Sequence, residues 1–347
     1  MMTWGEVAVT VLVVFVCADQ TRAWSNLGNY GADSTKVSVS GVSSGANMAV
    51  QLHVAYSSSI MGVGSVAGGP YYCAEGSASA AATGKCGALG NANDINVQDL
   101  IDQTTAYQNA GKVDATSNMA DDRVYIFSGT NDAVVPTDVV EKLEDYYDHY
   151  VTGAGNIKTK YDLAAGHGFI TTNYINSCGN NYITPNINDC NYNMAYEILN
   201  HIYGNLVEPG SSTTLSGSIL TFDQTDFFPS GWGWPYYYRA MAVTGRIYVP
   251  SGCSSTTSGC KLHVALHGCA QSTYNIGTQY YTKTGYNEVG ELNDIIILYP
   301  QVFPKSTAFV FNPLGCWDWW SYTNEDYATN QGKQMTAIKG MIDRILS

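Results

Sequence analysis

The pentapeptide Gly41-Val42-Ser43-Ser44-Gly45 constrains this chain more than any other stretch, because it lies where a strand pattern gives way to a helix pattern. Ahead of it Val37 and Val39 alternate with polar residues, and behind it Ala46 to Tyr56 is rich in Ala, Met, Gln and Leu. G-x-S-x-G on so sharp a turn lifts its middle Ser onto the carboxyl edge of a sheet, and a larger side chain at either glycine would clash across the turn. Ser43 is therefore the candidate nucleophile. With 35 glycines in the chain, the motif alone also fits an ordinary serine-rich turn, and it is the strand-turn-helix setting that favours the nucleophile.

A chain of 347 residues is long enough for one large domain or two ordinary ones, and for a substantial core in either case. Charged residues are sparse, 13% of the total, and the net charge is −13. That balance favours neither nucleic acid nor an anionic membrane surface as a partner. Residues 7 to 18, VAVTVLVVFVCA, form an apolar run of signal-peptide length, with cleavage expected after Ala18 or as late as Ala23. No Lys or Arg precedes the run, so it also fits an N-terminal membrane anchor. Secretion is the expectation, without stable membrane association. Of nine cysteines Cys17 falls in the leader, and the remaining eight read as four disulfides in an exported chain. Eight cysteines admit on the order of a hundred pairings. Spacing suggests local loops, Cys73 with Cys86, Cys178 with Cys190 and Cys253 with Cys260, leaving Cys269 with Cys316. No C-x-x-C or paired-His spacing points to a metal, and no organic cofactor is expected.

Further along, Gly62 to Gly69 reads as a short buried strand, Tyr71 to Asn93 as a Cys-bounded excursion and Val97 to Gly111 as a helix. RVYIF at 123 to 127 is a strand running into a loop that holds Asp132. Parallel strands deliver their carboxyl ends to one side, so Asp132 shares the sheet edge with Ser43 and is the candidate orienting acid. A strand at Thr159 to Leu163 leads to Ala165-Gly166-His167-Gly168-Phe169, where two glycines leave the His167 imidazole uncrowded; His167 is the candidate general base. The order Ser43, Asp132, His167 is that of α/β hydrolases.

Too few residues precede Lys36 to supply the strands that normally come before such an elbow. The missing strands appear late: Gly217 to Phe222, Ala240 to Pro250, Lys261 to Leu266 ending in His267-Gly268-Cys269, and Ile295 to Pro300. A final helix spans Gln331 to Leu346. Placing residues 217 to 347 ahead of 30 to 204 restores the usual order of parts. The sequence thus predicts a single circularly permuted α/β-hydrolase domain over residues 24 to 347, a mostly parallel sheet flanked by helices, with the Pro/Gly/Ser/Thr-rich segment 205 to 218 joining the two permuted parts.

GVSSGANMA at 41 to 49, SGTNDAVVP at 128 to 136, AGHGF at 165 to 169, LHGCAQS at 266 to 272 and CWDWW at 316 to 320 together resemble extracellular poly(3-hydroxybutyrate) depolymerases, in particular the permuted single-domain fungal type. The resemblance implies a secreted serine esterase that cleaves a hydrophobic polyester through an acyl-enzyme, with Ser43 as nucleophile, Asp132 as acid and His167 as base. It also implies an oxyanion hole from the backbone amides of Ser44 and Cys269, with Cys269 disulfide-bonded and His267 structural. A monomer is expected. Two aromatic clusters, GWGWPYYYR at 231 to 239 and CWDWWSY at 316 to 322, cannot bury every ring on an alternating strand. Trp232, Trp234, Trp317, Trp319 and Trp320 are therefore candidate substrate contacts. A carbohydrate esterase of feruloyl or acetylxylan type is the rival reading, since fold does not fix substrate. A catalytically silent binding or adhesion protein is the more distant one.

Overall fold

The computed structural model describes residues 25–82, 84–87, 91–228, 240–254, 259–307 and 310–347. The elbow is built from β1 (Val37–Val42) and α1 (Ser44–Ala55). There follow β2 (Gly62–Val66), α2 (Ala78–Ala82), α3 (Val97–Asn109), β3 (Arg123–Phe127), α4 (Thr137–Asp148) and β4 (Ile157–Lys160). Three short strands, β5 (Phe169–Thr171), β6 (Asn176–Ser177) and β7 (Ile187–Asp189), precede α5 (Met194–Tyr203). The later part contributes β8 (Ser218–Asp223), β9 (Thr244–Val249), β10 (Lys261–Leu266), α6 (Thr273–Ile276), α7 (Gln279–Lys283), α8 (Tyr286–Asn293), β11 (Ile295–Tyr299) and, after a short hairpin, α9 (Lys333–Leu346).

One eight-stranded sheet runs β4-β3-β2-β1-β10-β11-β9-β8. Pairing is parallel from β4 through to β11, and β9 is antiparallel to both of its neighbours. Along the chain the strands step from β1 in the middle out to β4 at one edge, then jump to β8 at the opposite edge and return toward the middle. Counting from β8 instead, the strands fall almost in sequence across the sheet, as connected strands usually do. The fold is a permuted α/β hydrolase. Residues that would have been continuous remain in contact: Tyr30 N–H and Ala32 N–H both donate to Ile345 O, at the end of α9, at 3.1 and 3.3 Å. Segment 205–217 carries no regular element and ends where β8 begins.

Strand alternation divides the core between the two faces. Val39, Val63, Val124, Val264 and Leu298 pack with α1, α3, α4 and α9, whose buried rows include Met48, Leu100, Leu143 and Ile338. Val42, Val66, Tyr125, Phe127, Ile297 and Tyr299 face α5 and α8. Three strands differ clearly from expectation: β9 starts at Thr244 rather than Ala240, β2 ends at Val66 rather than Gly69, and β4 begins and ends two or three residues earlier than Thr159 to Leu163. Strand β4 is a half-exposed edge strand without an apolar run, and its limits come from register with β3, Val124 opposite Ile157 through Phe127 opposite Lys160.

Candidate functional site

Ser43 caps α1 with φ 56° and ψ −122°, a conformation L-residues rarely adopt and one that marks functional turns when the surroundings hold it. Ser43 N–H donates to Val66 O at 2.8 Å, while Ser43 O accepts from Ala46 N and Asn47 N. The flanking glycines are required by contact. A Cβ on Gly41 would lie 2.2 Å from Gly45 O, and one on Gly45 would lie 2.3 Å from Leu266 O at the end of β10.

Asp132 stands in the loop after β3 with its carboxylate fully shielded. One oxygen accepts from Val134 N and Val135 N at 2.8 and 2.9 Å, and the other accepts from His167 Nδ1 at 2.8 Å. A carboxylate can only accept there, so the neutral imidazole carries its proton on Nδ1 and presents a bare Nε2. Ser43 and His167 line the same cleft, of about 670 Å³.

The loop after β10 closes the far side. Its Gly268 would bring a Cβ within 3.4 Å of the Ser43 Cβ, so the loop lies directly beside the candidate nucleophile. Gly268 N donates to Gln271 Oε1 and Ala270 N to Leu314 O, both at 2.7 Å. Between these two engaged amides sits that of Cys269, on the cleft wall. Ser44 N–H, the first amide of α1, has no intrahelical acceptor available to it. Both amides belong to residues that line the cleft beside Ser43. His267 is buried; desolvation lowers its pKa to about 4, and its Nδ1–H donates to Gly268 O at 2.8 Å. It supports the loop rather than lining the cleft.

All four expected cysteine pairs stand at bonding distance, Cys73–Cys86, Cys178–Cys190, Cys253–Cys260 and Cys269–Cys316. The tryptophans divide. Trp319 and Trp320 line the cleft, half-buried. Trp317 does not: it is fully buried and its indole N–H donates to His267 O at 3.0 Å, so its expected place on the substrate surface is corrected to a core position under the loop after β10. Residues 316 to 320 form no strand: Cys316, Trp317 and Asp318 are all buried, and only Trp319 and Trp320 turn toward the cleft. Trp232 and Trp234 lie outside the described residues. Sequence reasoning missed Phe311 and Leu314, exposed at 72% and 55%, and Tyr182 at 73%, all on the cleft lining. They lie in short irregular stretches and a two-residue strand, too short for periodicity to show which side chains face outward. The hairpin β12 (Lys305–Ser306) and β13 (Phe311–Asn312) carries Phe311.

An elbow serine, a buried carboxylate–imidazole pair and two amides at one sheet edge are the parts of an α/β-hydrolase esterase site. The chain belongs to the poly(3-hydroxybutyrate) depolymerase family. It is 41% identical over 324 residues to a poly(3-hydroxybutyrate) depolymerase of Delftia acidovorans, covering 93% of this chain and 62% of that one. It is 35% identical over 333 residues to a polyhydroxybutyrate depolymerase of Talaromyces funiculosus, covering 92% of this chain and 91% of the relative. The chain therefore spans less than two thirds of the Delftia relative's length. Two solved structures superimpose with a TM-score of 0.83 and cover 93% of this chain and 99% of theirs: a PHB depolymerase from Penicillium funiculosum, 34% identical, and a PHB depolymerase complexed with an R3HB trimer, 33% identical. No protein-family model matches.

Proposed function

We propose that this protein is a secreted serine esterase that hydrolyses poly(3-hydroxybutyrate) or a similar hydrophobic polyester. The observation that carries the reading is the Asp132–His167 bond of 2.8 Å placed in one cleft with Ser43. His167 Nε2 takes the Ser43 hydroxyl proton as Oγ attacks an ester carbonyl, and Asp132 stabilises the imidazolium that forms. The carbonyl oxygen gains charge between the amides of Ser44 and Cys269, each donor contributing about 3 kcal/mol to the transition state. His167 then protonates the leaving alkoxide, and water, activated by the same imidazole, releases the acyl group from Ser43.

Phe311, Leu314 and Tyr182 at the rim, with Trp319 and Trp320 inside, give the cleft an apolar, aromatic approach suited to a water-insoluble chain. Four disulfides and the leader-like residues 1 to 18 support export. Among the described residues no helix is long and apolar enough to cross a membrane. We assign residues 24 to 347 to one catalytic domain acting as a monomer.

Clearing of a poly(3-hydroxybutyrate) suspension tests the reading, run beside Ser43→Ala and beside p-nitrophenyl butyrate hydrolysis. Clearing by the wild type and none by the variant is expected. Cleavage of the soluble ester alone, with the suspension still turbid, removes the polymer from the assignment and leaves the esterase.

A further inference from the structure

We infer that Asn181 is a positioning residue that sets the distance between the acid and the base, an inference that rests on the esterase reading above. Its Oδ1 accepts from two backbone amides at once, that of Ala133, next to the acid, and that of His167 itself, both at 2.8 Å. Its Nδ2 donates to Asn131 O at 3.0 Å, on the other side of the acid, and to Gly179 O at 3.3 Å. One amide group thus grips the backbone on both sides of Asp132 and at His167.

The two gripped loops come from neighbouring strands, Asp132 after β3 and His167 after β4, but His167 stands seven positions beyond Lys160, where β4 ends. Strand register alone fixes the base poorly over that reach. Asn181 itself is anchored within the loop that the Cys178–Cys190 bond closes. That loop packs tightly on the base: a Cβ on Gly166 would fall 2.3 Å from Asn180 O. The same loop reaches the oxyanion side, because Gln271 Nε2 donates to Pro185 O and Asn186 O at 2.8 and 2.9 Å. Segment 178–186 is therefore a brace shared by acid, base and oxyanion loops, with Asn181 as its contact to the first two.

Asn181→Ala removes the whole grip, whereas Asn181→Asp keeps an oxygen for Ala133 N–H and His167 N–H and loses the donated bonds. With active sites counted by a serine-directed phosphonate, kcat of Asn181→Ala on p-nitrophenyl butyrate is expected to fall about ten- to a hundredfold, with KM changed by less than about twofold. Asn181→Asp is expected to recover most of that loss. A readout independent of turnover is the downfield proton resonance of His167 Nδ1–H, assigned by its disappearance in Asp132→Asn; in Asn181→Ala it should move upfield or broaden. An Asn181→Ala protein with the wild-type resonance and wild-type kcat per titrated site overturns the inference, as does equal impairment of both variants. Wild-type protein no more active than Ser43→Ala sinks the esterase reading instead, while the resonance still decides whether Asn181 holds the pair.

Discussion

At the scale of single residues, the site depends on atoms that have no room to move. Gly45 faces Leu266 O so closely that Gly45→Ala must push α1 away from β10. We expect that variant to lose about 3 kcal/mol in urea unfolding, at the upper end of overpacking costs, along with esterase activity. Asp132→Asn is a gentler change in shape and a severe one in chemistry. Its amide favours the wrong imidazole tautomer, so kcat on p-nitrophenyl butyrate should drop by roughly three to four orders of magnitude while the melting temperature changes little. Asp132 Oδ1 already serves two backbone amides, which the Asn side chain can retain.

At the scale of elements, the Cys269–Cys316 bond fastens the loop after β10, the proposed oxyanion loop, to the segment carrying Trp319 and Trp320, closing 47 residues of chain. Loop-closure entropy gives such a link a value of about 4 kcal/mol. A Cys269→Ser/Cys316→Ser double variant should lose stability of that order and also lose kcat, since the Cys269 amide is no longer held beside Ser43. Unchanged kcat per titrated site would mean that Gln271, through Gly268 N and the loop at 185–186, holds the donor unaided. Much of this layout was legible in the sequence. The β1 elbow, β3, β10, β11 and α9 all carry strong periodic or apolar signals, and cysteine spacing suggested the four pairs. The brace at 178–186 was not legible, because Asn-rich loops make their bonds to distant backbone and leave no pattern along the chain.

At the scale of the whole molecule, the buried histidines bear on the response to acid. His263 sits inside the sheet with its ring nitrogens against Ser38 Oγ and Ser40 Oγ, both at 2.7 Å, and desolvation lowers its pKa to about 3. His267 is lowered to about 4. Both stay neutral when folded but take up a proton when unfolded, so their stability is present above about pH 6.5 and is lost as pH falls. Asp318 acts in the opposite sense. Burial raises its carboxyl to about 6, so it favours the fold as pH falls through that value. From pH 7 to pH 5 the two histidines together are expected to cost about 4 kcal/mol and Asp318 to return about 1, so on balance these three groups make the fold less stable in acid. Urea midpoints at the two pH values check this, and His263→Gln should flatten the difference.

The elbow, the order Ser43, Asp132, His167, the family resemblance and the displaced strands can all be read along the chain, because each is written in local spacing or in the order of strands. Folding in three dimensions settled which aromatics face the cleft, turning Trp317 inward beneath His267 and setting Phe311, Leu314 and Tyr182 at the rim. It likewise decided which side chains hold the site together. Asn181 and Gln271 act on backbone far from them in sequence, and such contacts exist only once sheet register and loop packing have brought separate strand ends to one edge.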